Sequence, residues 1–145
     1  MFSSSQQRNA PQELINFSTT EIRNILISVK GIDFVMLCST DGFELATVNK
    51  KAVFNNSKLA AVSSSILAMV SAFLSEINLT GCQTITLDAE NGKAILTAVP
   101  APHHPMVIVA LTAKDVLLGQ LLYTVKQASQ SIIQMDHQLG QSKAV

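Results

Sequence analysis

The chain has 145 residues and no net formal charge, ten basic residues balancing ten acidic ones. That balance excludes a long-range field that would gather nucleic acid, anionic lipid or acidic substrates, and one tyrosine with no tryptophan leaves little to stack on single-stranded bases. Hydrophobic residues make up 48% and charged ones 14%, enough for one domain with a filled core and apolar enough that a partner is expected to cover part of the surface.

Residues 1–18 are rich in Ser, Gln and Asn and carry no apolar leader, so they read as a mobile polar tail that turns helical only near its end, and a cytoplasmic location follows. Thr19 or Thr20 can cap a short helix running to about Lys30, with Ile22, Leu26 and Val29 on one face and Gly31 at its end. "IDFVMLCS" is an apolar run bounded by turn residues, hence a buried strand. Asp41-Gly42 signals a hairpin, and "FELATV" is the returning strand. Asn55, Asn56 and Ser57 supply the N-cap of a long helix that stops at Asn78 to Gly81.

"CQTITLDA" alternates in the period of a strand, Asn91-Gly92 is a second hairpin signal, and "KAILTAV" is its return arm. "PAPHHP" cannot sit inside a sheet. "MVIVALT" is a fifth strand, and Asp115 can cap a last helix through about Ile133, with Leu118, Leu121, Leu122, Val125 and Ile132 as its apolar side. Residues 134–145 read as a frayed end. The expected architecture is α+β, a five-stranded antiparallel sheet with helices on both faces, in the order helix, two strands, helix, three strands, helix. Cys38 and Cys82 fall on strands and read as reduced, small buried hydrophobes.

The long helix, "KLAAVSSSILAMVSAFLSEI", has no charge between Lys58 and Glu76. It is somewhat short for a membrane span and holds several serines, so no membrane insertion is expected. At about 100° per residue, Leu59, Val62, Ile66, Met69, Val70, Phe73 and Ile77 form a stripe of large side chains that is expected to cover the sheet. Ala61, Ser65, Ala68, Ala72 and Ser75 lie opposite, spaced four, three, four and three, as in a helix–helix seam. With no complementary stripe elsewhere, the simplest occupant is the same helix of a second copy, and the chain is expected to form a homodimer.

The element order, the hairpin "GIDFVMLCSTDGFELATV", the small-residue central helix and "DVLLGQLLYTV" together resemble the roadblock (dynein light chain) family over roughly residues 19–133. Among its members the chain is most similar to the stand-alone bacterial, MglB-like kind. The resemblance implies the profilin-like roadblock fold and a dimer whose central helices lie side by side while the sheets join, which draws in Thr84 and Thr86. It also implies an adaptor or regulator for small Ras-like GTPases, docked on the helix-bearing face, where Ser64 and Ser71 are candidate contacts. Many relatives carry Asn two residues before the glycine of the last helix; here Leu117 precedes Gly119.

Chemistry of its own is not expected. There is no GxxxxGK phosphate loop, and no cofactor is called for. Arg8 and Arg23 are the only arginines, one in the tail and one on the first helix, so an arginine finger is not expected; any stimulation of GTP hydrolysis would come from positioning the GTPase's own switch residues. His103 and His104 have no ligand-spaced carboxylate or cysteine beside them and read as an exposed loop pair, Ser63 to Ser65 lack a nucleophile elbow, and Lys50-Lys51 reads as a solvated hairpin end. The alternative function is a dimeric scaffold for signalling or motility components that never touches a GTPase.

Overall fold

The computed structural model describes residues 10–50 and 55–143. Three helices, α1 (Gln12–Ser28), α2 (Asn56–Glu76) and α3 (Leu118–Lys143), and five strands, β1 (Ile32–Ser39), β2 (Glu44–Asn49), β3 (Thr84–Ala89), β4 (Gly92–Val99) and β5 (Met106–Thr112), follow in the expected order. The sheet order is β2-β1-β5-β4-β3, and every neighbouring pair is antiparallel. α1 and α3 pack on one face of the sheet and α2 on the other.

From Phe34 to Cys38 β1 is uninterruptedly apolar because it is buried on both sides. Val35 and Leu37 point into the core under α1 and α3, with Leu14, Ile22, Ile25, Leu121, Val125 and Ile132. Phe34, Met36 and Cys38 point to the smaller core under α2, beside Leu96, Val107 and Val109.

The turns differ in detail from the sequence signals. β1 and β2 are joined through residues 40–43, with a register shift between Leu37 and Cys38. The bulge explains why Asp41-Gly42 does not close a two-residue hairpin. Gly42 takes φ +96°, and a Cβ there would press to 3.3 Å from the Ala61 backbone on α2, so the turn needs glycine for both conformation and space. In the second hairpin Ala89 pairs with Gly92, which makes Glu90-Asn91 the loop. Asp88 ties this tip down, accepting from Lys93 Nζ at 2.7 Å and from Lys114 Nζ.

Both ends of the fold extend beyond the expected 19–133. α1 begins at Gln12 rather than at Thr19 or Thr20, and Leu14 and Ser18 are fully buried. The polar composition of residues 10–18 hides the apolar positions that dock on the sheet; residues 1–9 lie outside the described ones. α3 begins at Leu118, three residues after Asp115, and continues to Lys143. Its last turns are held by the partly buried Met135 and Leu139 and by a buried carboxylate, Asp136.

Candidate interaction site on the central helix

α2 starts where the Asn55 side chain accepts from Lys58 N–H at 3.1 Å, the capping bond expected from the sequence. It ends with Asn78 at φ 63° and Leu79 N–H donating to Leu74 O at 2.8 Å, a left-handed cap that asparagine tolerates. It is the one helix among the described residues long and apolar enough to cross a membrane, yet one side of it lies against the sheet.

That side is not the large stripe as expected. Ala60 and Ser63 are the fully buried positions, flanked by the partly buried Leu59, Ile66, Leu67, Val70 and Leu74. Met69 and Phe73 are instead 66% and 62% exposed, with Val62 and Ile77 near half. The physical reason is distance: small side chains at the point of closest approach let the helix backbone sit near β1 and β5, and larger ones flank the contact. Ala61, Ser65, Ala68, Ala72 and Ser75 are all exposed, beside the exposed large residues rather than opposite them.

The solvent side of α2 is therefore a continuous band of Val62, Ser65, Met69, Ala72 and Phe73 bordered by Ala61 and Ala68. Ser65 Oγ donates to Ala61 O at 3.0 Å, so its hydroxyl asks nothing of a neighbour. Ser71 is exposed, whereas Ser64 Oγ already donates to Thr40 O and pins α2 to the first hairpin.

β3 is the second incomplete element. It forms one edge of the sheet and is exposed apart from the half-buried Ile85. Ile85 and Leu87 share the α2 side; Thr84 and Thr86 face the α3 side, where Thr84 and Thr97 hydroxyls meet at 3.4 Å. An edge of alternating Thr, Ile, Thr and Leu without Pro or Lys between residues 84 and 87 has none of the usual protection against pairing with another strand.

The histidine loop is more tightly held than its sequence suggests. Asp136, 1% exposed on α3, accepts from His103 N–H at 2.7 Å, His104 N–H at 3.1 Å and His104 Nδ1–H at 2.7 Å. Burial works to raise this carboxyl, but these hydrogen bonds outweigh it and hold it below the ordinary aspartate value. The His103 ring lies over Gly140, where any Cβ would collide with Nε2. His104 is thus an anchored residue rather than a free one, and the carboxylate arrives from 32 positions down the chain, beyond the reach of local spacing rules.

Other candidates are placed plainly. Burial pushes the Cys38 thiol up to about 12, with the Glu44 charge adding to it; Cys82 is partly exposed, and both are free. Gly119 faces open space and does not serve close packing. Arg23 is exposed on α1, across the sheet from α2, and Arg8 lies outside the described residues. Lys50 is exposed while Lys51 is not described. Among the described residues no three His, Cys, Asp or Glu side chains gather as a metal set.

A five-stranded antiparallel sheet with one central helix on one face and two terminal helices on the other is the roadblock fold. Solved structures agree with that class. The gliding protein MglB from Thermus thermophilus is similar at a TM-score of 0.77 and 14% identity, over 86% of this chain and 92% of that one. MglB from Myxococcus xanthus follows at 0.73 and 13%, over 88% and 90%, and a roadblock/LC7 domain from Streptomyces avermitilis at 0.70 and 10%, over 79% and 92%. The chain is MglB-like in fold. Its sequence matches no family model and no curated protein.

Proposed function

We propose that this protein is a non-enzymatic roadblock adaptor or regulator that works as a homodimer in the bacterial cytoplasm and binds a small Ras-like GTPase. The observation that carries the reading is the apolar, solvent-facing side of α2 on an MglB-like domain. Apolar side chains this large along one helix face are stabilised by burial at roughly 25 cal/mol per Å², and a second copy supplies that burial. The uncovered edge of β3, with Thr84 and Thr86 on it, lets the two sheets join at the same time. The family resemblance supports the GTPase as client.

Stimulation of GTP hydrolysis in this reading needs no arginine from the regulator. Arg23, the one arginine among the described residues, is on the far side of the sheet from α2. The dimer acts by favouring one arrangement of the GTPase switch segments, which requires tighter binding to that arrangement. The test is capture of partners from the native host on tagged protein, with and without a non-hydrolysable GTP analogue. Recovery of a Ras-like GTPase only with the analogue supports the proposal, and single-turnover hydrolysis then measures stimulation. Recovery of other proteins alone, from a lysate in which the GTPase is present, sinks it in favour of the scaffold.

A further inference from the structure

The two terminal helices do not cover the whole of their face of the sheet. α1 lies over β1 and β2 and α3 over β4, so β3 runs past the flank of α3 with Thr84 turned toward it. Between them is a groove of about 350 Å³, floored by Thr84 and Thr97 and walled by Leu122, Lys126, Ser129 and Ile133 of α3. It is on the opposite face from α2, and its size falls in the usual range for a small-molecule site, about 300–1,000 Å³.

Ser129 is the unusual residue in this wall. Thr19, Thr20, Ser65 and Thr124 each donate to the carbonyl four residues back, the common outlet for a hydroxyl inside a helix. Ser129 is 5% exposed, yet its hydroxyl makes no hydrogen bond within the described residues. It opens to the groove, whereas that of Ser18 is sealed from solvent. On the floor, the Thr84 and Thr97 hydroxyls share one long contact at 3.4 Å, which uses only one of their two protons. Gln83 and Gln130 add amide groups at the rim. Lys126 is exposed and has no ion-pair partner within the described residues. No described acid lines the groove. Asp88, on the same side of β3 as Thr84, is engaged by Lys93 and Lys114, and Asp136 is held by the histidine loop.

We infer that this groove binds a small organic carboxylate. The anion accepts from the hydroxyls of Ser129 and of Thr84 or Thr97 beside the Lys126 ammonium, and the apolar body of the ligand lies against Leu122, Ile133 and Pro100. A buried hydroxyl without a partner is costly, and a ligand oxygen removes that cost. One lysine among several hydroxyl donors matches a single negative charge rather than a phosphate dianion. The lack of a lining acid selects against a ligand headed by an ammonium group. The groove is separate from α2, so the inference does not depend on what covers that helix.

The experiment is a titration of the full chain, isotope-labelled, with phenylbutyrate, followed by amide chemical shifts. Saturable shifts are expected at Thr84, Thr97 and Ser129. The neutral phenylbutyramide should bind roughly fivefold more weakly, the worth of an exposed ion pair, and phenyl phosphate should bind no tighter than the carboxylate. Lys126→Ala should bring the acid down to the affinity of the amide. Ser129→Ala should weaken the acid roughly tenfold. Its stability in urea should be no lower than that of the wild type, because the hydroxyl removed has no protein partner. Binding weaker than about 10 mM, shifts confined to α2, or an amide or phosphate that binds as tightly as or tighter than the acid, respectively, overturns the proposal. So does a Lys126→Ala variant that still prefers the acid, or a Ser129→Ala variant that binds it like the wild type.

Discussion

The sheet is finished on one face and unfinished on the other. Under α1 and α3 the core is dense, and the two helices lock loops, strand ends and each other, down to a buried aspartate that holds a loop of prolines and histidines. Over the opposite face a 21-residue helix fully buries Ala60 and Ser63 and leaves Met69 and Phe73 in solvent. The same antiparallel sheet can thus be stabilised from one side and used from the other. Stability is concentrated where no partner is needed, which leaves α2 free to keep an apolar exterior.

The strongest way to break the comparison is to hollow the finished face. Leu121→Ala removes a fully buried side chain and should cost about 2–5 kcal/mol of folding stability, by urea denaturation at one fixed chain concentration. The folded fraction should still form the proposed dimer as the wild type does. Met69→Glu should do the reverse, weakening dimerisation by about 100-fold or more, near 2.7 kcal/mol, with helical circular dichroism retained. If either variant moves both properties equally, the division of labour between the faces is wrong.

Asp136→Asn is the next largest. It keeps the shape but loses the charge that attracts three hydrogen bonds, and about 1–3 kcal/mol is expected, with faster amide exchange at His103 and His104. The folded carboxyl is lowered, so its contribution is present above the ordinary aspartate value of about 3.9 and disappears as pH falls through the folded value. The wild-type advantage over D136N should therefore be full at pH 7 and shrink below about pH 4. The smallest effect concerns thiols. At pH 8, Cys82 should alkylate readily while Cys38, buried and pushed up to about 12, reacts only on unfolding.

The strands and element order were legible because β1, β4 and β5 are apolar runs cut by turn residues, and Asn55 and Asn78 mark the ends of α2. The facing of α2 was not. With both sides apolar, side-chain size was the only discriminator, and close packing placed the small Ala60 and Ser63 inward. The start of α1 was hidden because Leu14 and Ser18, its buried positions, sit among polar neighbours. The clasp at Asp136 joins residues 32 and 33 positions apart, and nothing local announces it.

That clasp bears on how the protein is cut. Ile133, where the apolar rhythm of α3 fades, looks like a natural end for a minimal fragment, yet a chain stopped there would lose the acceptor for three donors in the proline-rich loop. The loop starts where β4 ends and leads into β5, at the middle of the sheet. Trimming the last dozen residues as a dispensable tail would loosen two strands far from the cut. A shortened fragment that fails to bind a partner could then be reporting a slackened sheet rather than a missing contact.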